Sequence, residues 1–216
     1  MSLLEPLSPS VAQPLPRSKL LRRQLNIGDE ARFFTTWLRR PLTMGAVSPS
    51  SRQLGETMAS YVPNPMNFEE SSAVLELGPG TGVVTECLIE RGVPESSLIL
   101  VEYSAEFCAL LRRRFPRATV IQGDAYAIAA DLKSILVGRR LEAVVSGLPL
   151  LTKPDQMREE VVRHPLSIMA DGAPFIQFSY SLTLPVKPAA VEARVETSPW
   201  IKRNLPPARV IVYRAA

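Results

Sequence analysis

The sequence predicts an α/β fold, a mostly parallel sheet covered by helices on both faces. Three observations predict it. From Ser72 onward, short apolar runs alternate with helical patterns. A cluster of glycines, Gly78-Pro79-Gly80-Thr81-Gly82, joins the first of those runs to the first helix. The chain then closes on two strand-like runs around Asn204-Leu205-Pro206-Pro207. Its 216 residues suffice for one mid-sized domain with a full core and are few for two.

The elements follow in order. Residues 1–17 are rich in Pro and Ser without periodicity and read as a tail. Residues 18–40 predict one or two basic amphipathic helices, broken near Gly28. Lys19, Arg22, Arg23 and Asn26 share one face, with Leu20, Leu21, Leu25 and Ile27 largely opposite. Further on, Phe33, Phe34, Trp37 and Leu38 form an apolar face that leaves Arg32, Thr36, Arg39 and Arg40 on the other side. Pro41 stops the pattern. After a loop, Ser48 and Ser51 are candidate caps for a helix running through Met58 to Tyr61.

Strands are expected at 73–77, 98–102, 119–122, 141–146 and 174–180, and helices at 83–91, 105–115, 131–137 and from 155 to 164. Gly92 and Pro116 end the first two helices, and Pro165 is expected to end the last. Residues 193–202 and 208–214 form a closing antiparallel pair. Cys87 and Cys108 fall among apolar residues of helices, and two such cysteines suggest buried free thiols in a reducing compartment.

The net charge of +4 is unevenly placed. Residues 1–40 hold seven basic and three acidic side chains, and the remaining residues hold 18 of each. The expected organisation is therefore a basic N-terminal arm, residues 1–40, on an electrically balanced body, residues 41–216. No apolar run approaches the roughly 20 residues needed to cross a bilayer. Residues 1–16 contain four prolines and no basic stretch, so they do not read as a signal peptide. The ends carry no lipidation motif.

The glycine cluster selects a ligand class. Its spacing is G-x-G-x-G, with Val83 where a dinucleotide fingerprint would place its last small residue. No Gly-Lys-Ser/Thr follows, so a phosphate-cradling loop is excluded as well. Glu76, just before the glycines, would repel a pyrophosphate and suits a ligand bearing an ammonium or sulfonium charge. Glu102 ends the second strand, where an acid can accept from ribose hydroxyls. Asp124 follows the third and can accept from an adenine amine, with the Ala125 main chain as a nearby donor.

The set E-L-G-P-G-T-G, V-E-Y and G-D-A resembles the cofactor site of class I S-adenosylmethionine-dependent methyltransferases over about residues 72–150. The resemblance implies a Rossmann-like fold with a seven-stranded sheet and S-adenosylmethionine as cofactor, released as S-adenosylhomocysteine. It implies a cofactor site built from Glu76, Gly78, Gly80, Thr81 and Gly82, then Glu102 and Tyr103. Gly123, Asp124 and Ala125 follow, with Ser146, Gly147 and Leu148 after the fourth strand. Ser50 and Ser51 either hold the cofactor carboxylate at a helix start or simply cap that helix.

The methyl acceptor is read from the end of the fourth strand. Enzymes that methylate base amines place Asn/Asp/Ser-Pro-Pro and an aromatic there, and the aromatic stacks on the base. This chain has Ser146-Gly147-Leu148-Pro149-Leu150-Leu151, without an aromatic, which suits an apolar substrate. FFTTWLRRPLTMGAVSPSS, VLELGPGTGVVTECLIERGV, VVSGLPLL, IQFSYS and NLPPARVIVYR resemble the bacterial phospholipid N-methyltransferases from about residue 32 to the C-terminus. The resemblance implies conversion of phosphatidylethanolamine to phosphatidylcholine by up to three methyl transfers. It also implies a cytoplasmic enzyme held peripherally on the inner face of the membrane by its basic helix. Arg22, Arg23, Phe33, Phe34, Trp37, Arg39 and Arg40 are the expected lipid contacts. For residues 31–40, packing on the body as a lid is the competing role, and Arg39 and Arg40 either meet a lipid phosphate or face solvent.

Tyr180, at the end of the fifth strand, is the candidate catalytic residue. Its hydroxyl would orient the amine and its ring would hold the methylated cation, unless it is a tyrosine packed at a strand end. His164 reads as a cap or surface group rather than a base. No Cys/His cluster is present to hold a metal, and none is needed. No nucleic-acid partner is expected, because the body shows no second basic face. The alternative is an RNA adenine-N6 methyltransferase of similar fold, and a non-enzymatic membrane-binding module is a third reading.

Overall fold

The computed structural model describes residues 51–128 and 132–216. The tail and helices expected over residues 1–40, the boundary at residue 40 and the candidate cap Ser48 lie outside the described residues. Seven strands form one sheet: β1 (Ser72–Leu77), β2 (Leu98–Glu102), β3 (Thr119–Gln122), β4 (Arg140–Ser146), β5 (Phe175–Ser179), β6 (Ala193–Thr197) and β7 (Arg209–Ala215). Their order is β3-β2-β1-β4-β5-β7-β6. β1 to β5 are parallel, and β7 runs antiparallel to both β5 and β6. This is the Rossmann-like architecture expected from the sequence. Chain order reverses between β1 and β4, which opens a crevice outside their carboxyl ends.

The helices are α1 (Arg52–Ser60), α2 (Val83–Glu90), α3 (Ala105–Arg114), α4 (Ala125–Ile128), α5 (Leu132–Leu136) and α6 (Asp155–Leu166). Side chains of a strand alternate between faces, and here both faces are covered. On one face Val74, Leu98, Leu100 and Val145 pack with Leu54 and Met58 of α1, Leu88 of α2 and Leu111 of α3. On the other, Leu75, Leu77, Ile99 and Val144 pack with Leu132 of α5 and Val161 and Val162 of α6. Interior strands therefore read as unbroken apolar runs. Each fully buried leucine contributes about 1.5–3 kcal/mol, so the central strands anchor the rest. Gly55 lets α1 lie close on α2, since a Cβ there would stand 2.9 Å from the Cys87 sulfur. Cys87 and Cys108 are free and buried, and burial holds the Cys87 thiol protonated, pushed up to about 11.

Three expectations need correction. β6 ends at Thr197 rather than 202, because Pro199 has no N–H to extend the ladder. Ser198 takes over: its hydroxyl oxygen accepts from the Val210 N–H at 2.9 Å, and one bridge, Ile201 to Ala208, completes the pairing. α6 runs through Pro165 to Leu166. A proline in the last turn forfeits one hydrogen bond, and the Ser167 N–H still caps the carbonyls of Arg163 and His164. His164 is thus an exposed residue inside that turn. The short helix α4 was not expected; the Asp124 carboxylate starts it by accepting from the Tyr126 N–H at 2.9 Å.

Asn204 joins the two ends of the described chain. It is 1% exposed. Its side-chain oxygen accepts from the Ser51 N–H at 2.8 Å, and its amide donates to the Pro206 carbonyl at 2.7 Å. Ser51 is the N-cap of α1, with its hydroxyl oxygen accepting from the Leu54 N–H at 3.2 Å. Asn204→Ala strips both partners, so it is expected to lower the unfolding free energy by about 1–3 kcal/mol. A shift of the urea midpoint at unchanged slope would check this.

Candidate active site

The site lies at the carboxyl ends of β1 to β5. After β1 the chain turns through Gly78, Gly80 and Gly82, all at positive φ (70°, 57° and 85°), where a Cβ would be strained. Its backbone is held from several sides. The Gly78 N–H donates to the Val101 carbonyl at 2.9 Å, and the Gly82 N–H to the Pro79 carbonyl at 2.9 Å. Arg114 donates to the Thr81 carbonyl and, at 3.1 Å, to Glu86.

The loop after β4 leans on the first loop. The Gly147 N–H donates to the Leu77 carbonyl at 2.8 Å. A Cβ on Gly147 would lie 2.6 Å from the Gly78 carbonyl oxygen, a distance no side chain tolerates. Leu148 covers Gly78, and it and Leu150 are buried. Ser146 is fully buried, its hydroxyl oxygen accepting from the Leu148 N–H at 3.4 Å.

Three carboxylates stand at the ends of β1, β2 and β3. Glu102 is 8% exposed and ties two loops together. One oxygen accepts from the Gly80 N–H at 3.0 Å and the other from the Ser104 N–H at 2.8 Å. Each oxygen keeps a second lone pair for a hydroxyl donor. Asp124 is exposed beside half-buried Gly123 and buried Ala125. Tyr103, 73% exposed, follows Glu102 directly at the end of β2. Glu76 is 2% exposed and accepts from the Thr85 hydroxyl at 2.7 Å. Burial pushes its carboxyl up to about 8; the Thr85 bond opposes the shift, and the negative Glu102 adds to it.

The structure thus brings together Glu76, Gly78, Gly80, Thr81, Gly82, Glu102, Tyr103, Gly123, Asp124, Ala125, Gly147 and Leu148 on one edge. Tyr180 stands on the same edge past β5, half-buried, with its ring edge-on to Phe178 at 5.3 Å between centroids. Ser51 caps α1 and is tied by its N–H to Asn204 in the loop between β6 and β7, at the β7 side of this edge. Ser50, Arg22, Arg23, Phe33, Phe34, Trp37, Arg39 and Arg40 lie outside the described residues.

Sequence reading missed Thr85, Arg114 and Gln177. Gln177 is 1% exposed on β5, and its amide donates to the carbonyls of Leu148 at 2.9 Å and Phe178 at 2.8 Å. Its Oε1 finds no donor among the described residues. A polar residue within Phe175-Ile176-Gln177-Phe178 was the available signal. Among the described residues, no group of three His, Cys, Asp or Glu side chains is placed to hold a metal.

A crevice at a topological switch, open glycine backbone and acids at the ends of successive strands fit a nucleoside bearing a positive charge. Fold and site together define the class I S-adenosylmethionine-dependent methyltransferases. Comparison with known proteins agrees. Residues 56–148 match the family model described as ribosomal RNA adenine dimethylase. The ornithine lipid N-methyltransferase of Singulisphaera acidiphila is 30% identical over 153 residues, covering 68% of this chain and 76% of that protein. The ribosomal RNA small subunit methyltransferase A of a Synechococcus species is 33% identical over 96 residues, covering 43% of this chain and 29% of that protein. In fold, the magnesium protoporphyrin IX methyltransferase of Synechocystis, solved with bound S-adenosylmethionine, superposes with a TM-score of 0.57. That match has 11% identity and covers 87% of this chain and 98% of that one. The chain belongs to this family of S-adenosylmethionine-dependent methyltransferases.

Two outcomes are expected. Gly147→Ala should weaken S-adenosylhomocysteine binding at least about tenfold, since its Cβ forces apart two backbones whose repacking costs ~1–3 kcal/mol; calorimetry measures it. Glu76 keeps its proton in the fold up to about 8, against 4.5 for the ordinary carboxyl. The folded state then holds the extra proton, so stability without cofactor falls as pH rises through that window. Glu76→Gln should flatten this slope in thermal melts.

Proposed function

We propose that this methyltransferase acts on the primary amine of phosphatidylethanolamine, and on its mono- and dimethyl derivatives towards phosphatidylcholine, at a membrane surface. The observation that carries this reading is the loop after β4. Ser146 to Leu151 contains no aromatic ring to stack on a base, and Leu148 and Leu150 give it an apolar packing. The lipid-methylating relative matches over more of its own length than the rRNA methyltransferase does, 76% against 29%. The rRNA adenine dimethylase match ends at residue 148, so it is confined to the cofactor half and the first residues of this loop. A second acceptor, an ornithine lipid, is supported by that same relative and shares the chemistry of a primary amine on a lipid.

In this reading residues 1–40 form the arm that finds an anionic bilayer on its cytoplasmic side, and residues 41–216 the methyltransferase domain. Phe33, Phe34, Trp37 and the arginines Arg22, Arg23, Arg39 and Arg40 would meet lipid. Bound S-adenosylmethionine supplies a methyl group on sulfonium sulfur, ready for transfer to nitrogen. Glu102 and Asp124 would accept from its ribose and adenine, and the glycine loop would admit it against the main chain. The attacking amine must be neutral, so the chain has to orient its lone pair and receive its proton. Gln177 Oε1, an acceptor beside the β4 loop, and the Tyr180 hydroxyl are the groups offered for orientation. The Tyr180 ring would hold the growing cation.

The experiment is a radiolabel assay offering phosphatidylethanolamine vesicles, ornithine lipid vesicles and structured RNA in parallel. Mono-, di- and trimethylated phosphatidylethanolamine is the expected product; labelled RNA without labelled lipid would overturn the reading. Tyr180→Phe keeps the ring and should retain the later methylations. Tyr180→Ala should slow them by about tenfold, from the ~0.5–2 kcal/mol of a lost cation–π contact, and accumulate monomethyl product on thin-layer analysis.

A further inference from the structure

The carboxyl edge is divided by charge. Its β1–β3 half carries Glu76, Glu102 and Asp124. The loops of its β5–β7 half carry none: no acidic side chain occurs between Asp171 and Glu192, or from Ser198 to Ala216, and Glu196 near the end of β6 is paired with Arg214 at 3.1 Å. Two loops form that half. One leaves β5 through Tyr180 and Leu182, and the other joins β6 to β7 across residues 198–208. Both meet at the same end of the sheet, because Ser179 pairs with Arg209 at the start of β7.

These loops present apolar tips. Leu182 is 82% and Leu205 79% exposed, a costly arrangement in water for side chains of this size. Lys202 and Arg203 are exposed beside Leu205. The loops are braced from behind. Arg209 donates to the Leu182 carbonyl at 2.7 Å and stacks over Trp200 at 5.4 Å. Arg158 of α6 donates to the Pro185 carbonyl at 2.8 Å, and buried Asn204 fixes the 198–208 loop to Ser51. Met66 and Val137 are equally exposed but lie at the opposite, amino edge, away from this concentration of positive charge.

We propose that this rim is a second membrane-contact surface, which meets an anionic phospholipid bilayer through Leu182 and Leu205 inserted between headgroups and Lys202 and Arg203 on their phosphates. The inference rests on the reading of the protein as a lipid N-methyltransferase and adds to it a docking face on the body. Exposed aliphatic tips flanked by cations match the apolar-plus-basic pattern of interfacial binding. Single-stranded RNA would call for aromatic platforms, and the Trp200 ring is taken by Arg209. Residues 1–40 carry a surplus of positive charge, so they do not complement a rim that is itself basic. Ser51, the first described residue, is held at this edge by Asn204. A bilayer on this rim would lie beside Tyr180, where the acceptor amine has to enter.

The test is co-sedimentation of the full chain with phosphatidylcholine vesicles containing phosphatidylglycerol. Leu182→Ser/Leu205→Ser and Lys202→Glu/Arg203→Glu are each expected to weaken binding about tenfold, with S-adenosylhomocysteine affinity by calorimetry unchanged as the control for folding. The charge variant should also bind with a shallower salt dependence. Binding of either variant at the affinity of the unmodified chain overturns the proposal. So does tighter binding, which would mean that the arm covers the rim, or a loss of affinity for structured RNA in place of vesicles. Lipid methylation is scored separately. If the unmodified chain binds vesicles through the rim but methylates no lipid, the lipid-methyltransferase reading fails and the rim stands. If both variants bind vesicles and methylate lipid like the unmodified chain, the rim fails and that reading stands.

Discussion

Everything at the catalytic edge depends on how closely two backbones approach at the switch between β1 and β4. Gly147 donates its N–H to Leu77 while its α-carbon faces the Gly78 carbonyl with no room for a Cβ. That contact brings the two loops together, sets Leu148 over the glycine turn and holds the Gly80 amide where Glu102 reaches it. Glu102 then couples β2 to the same loop through Gly80 and Ser104. The cradle is therefore built of main-chain surfaces fastened by one carboxylate and backed by Leu148 over Gly78 and Phe115 over Gly82.

The electrostatics follow from that construction. Acids are gathered where a sulfonium and a nucleoside would lie, and one of them, Glu76, is buried deeply enough to hold its proton near neutral pH. A neutral Glu76 costs less to bury than a carboxylate, and a bound cation would favour its ionised form. Cations stand at the far half of the edge, with apolar loop tips between them. The acidic half suits a reaction whose methyl donor is positive.

Much of this was legible in the sequence. The strand–helix alternation, the position of β2 and the glycine turn could be read because both faces of the sheet interior are buried and β2 is a short apolar run. β3, a half-exposed edge strand, was marked instead by Pro116 before it and Gly123 after it. Glu76, Glu102 and Asp124 were found because each follows a fixed offset from a strand end. The ends of β6 and α6 were misplaced, since Pro199 and Pro165 act through hydrogen bonds that other residues replace. Gln177, Arg114 and Asn204 were passed over for a shared reason. Each works through contacts distant in sequence, and only the fold shows that Gln177 braces the β4 loop or that Asn204 meets Ser51.

The Ser51–Asn204 bond has a consequence for synthesis. Its partners are separated by 153 residues, so the start of α1 cannot be fastened until nearly the whole chain has left the ribosome. While its packing on α2 through Gly55 and Cys87 joins segments made early, α1 lacks that fastening at its first turn until then. Contacts of such long range also close late and slowly.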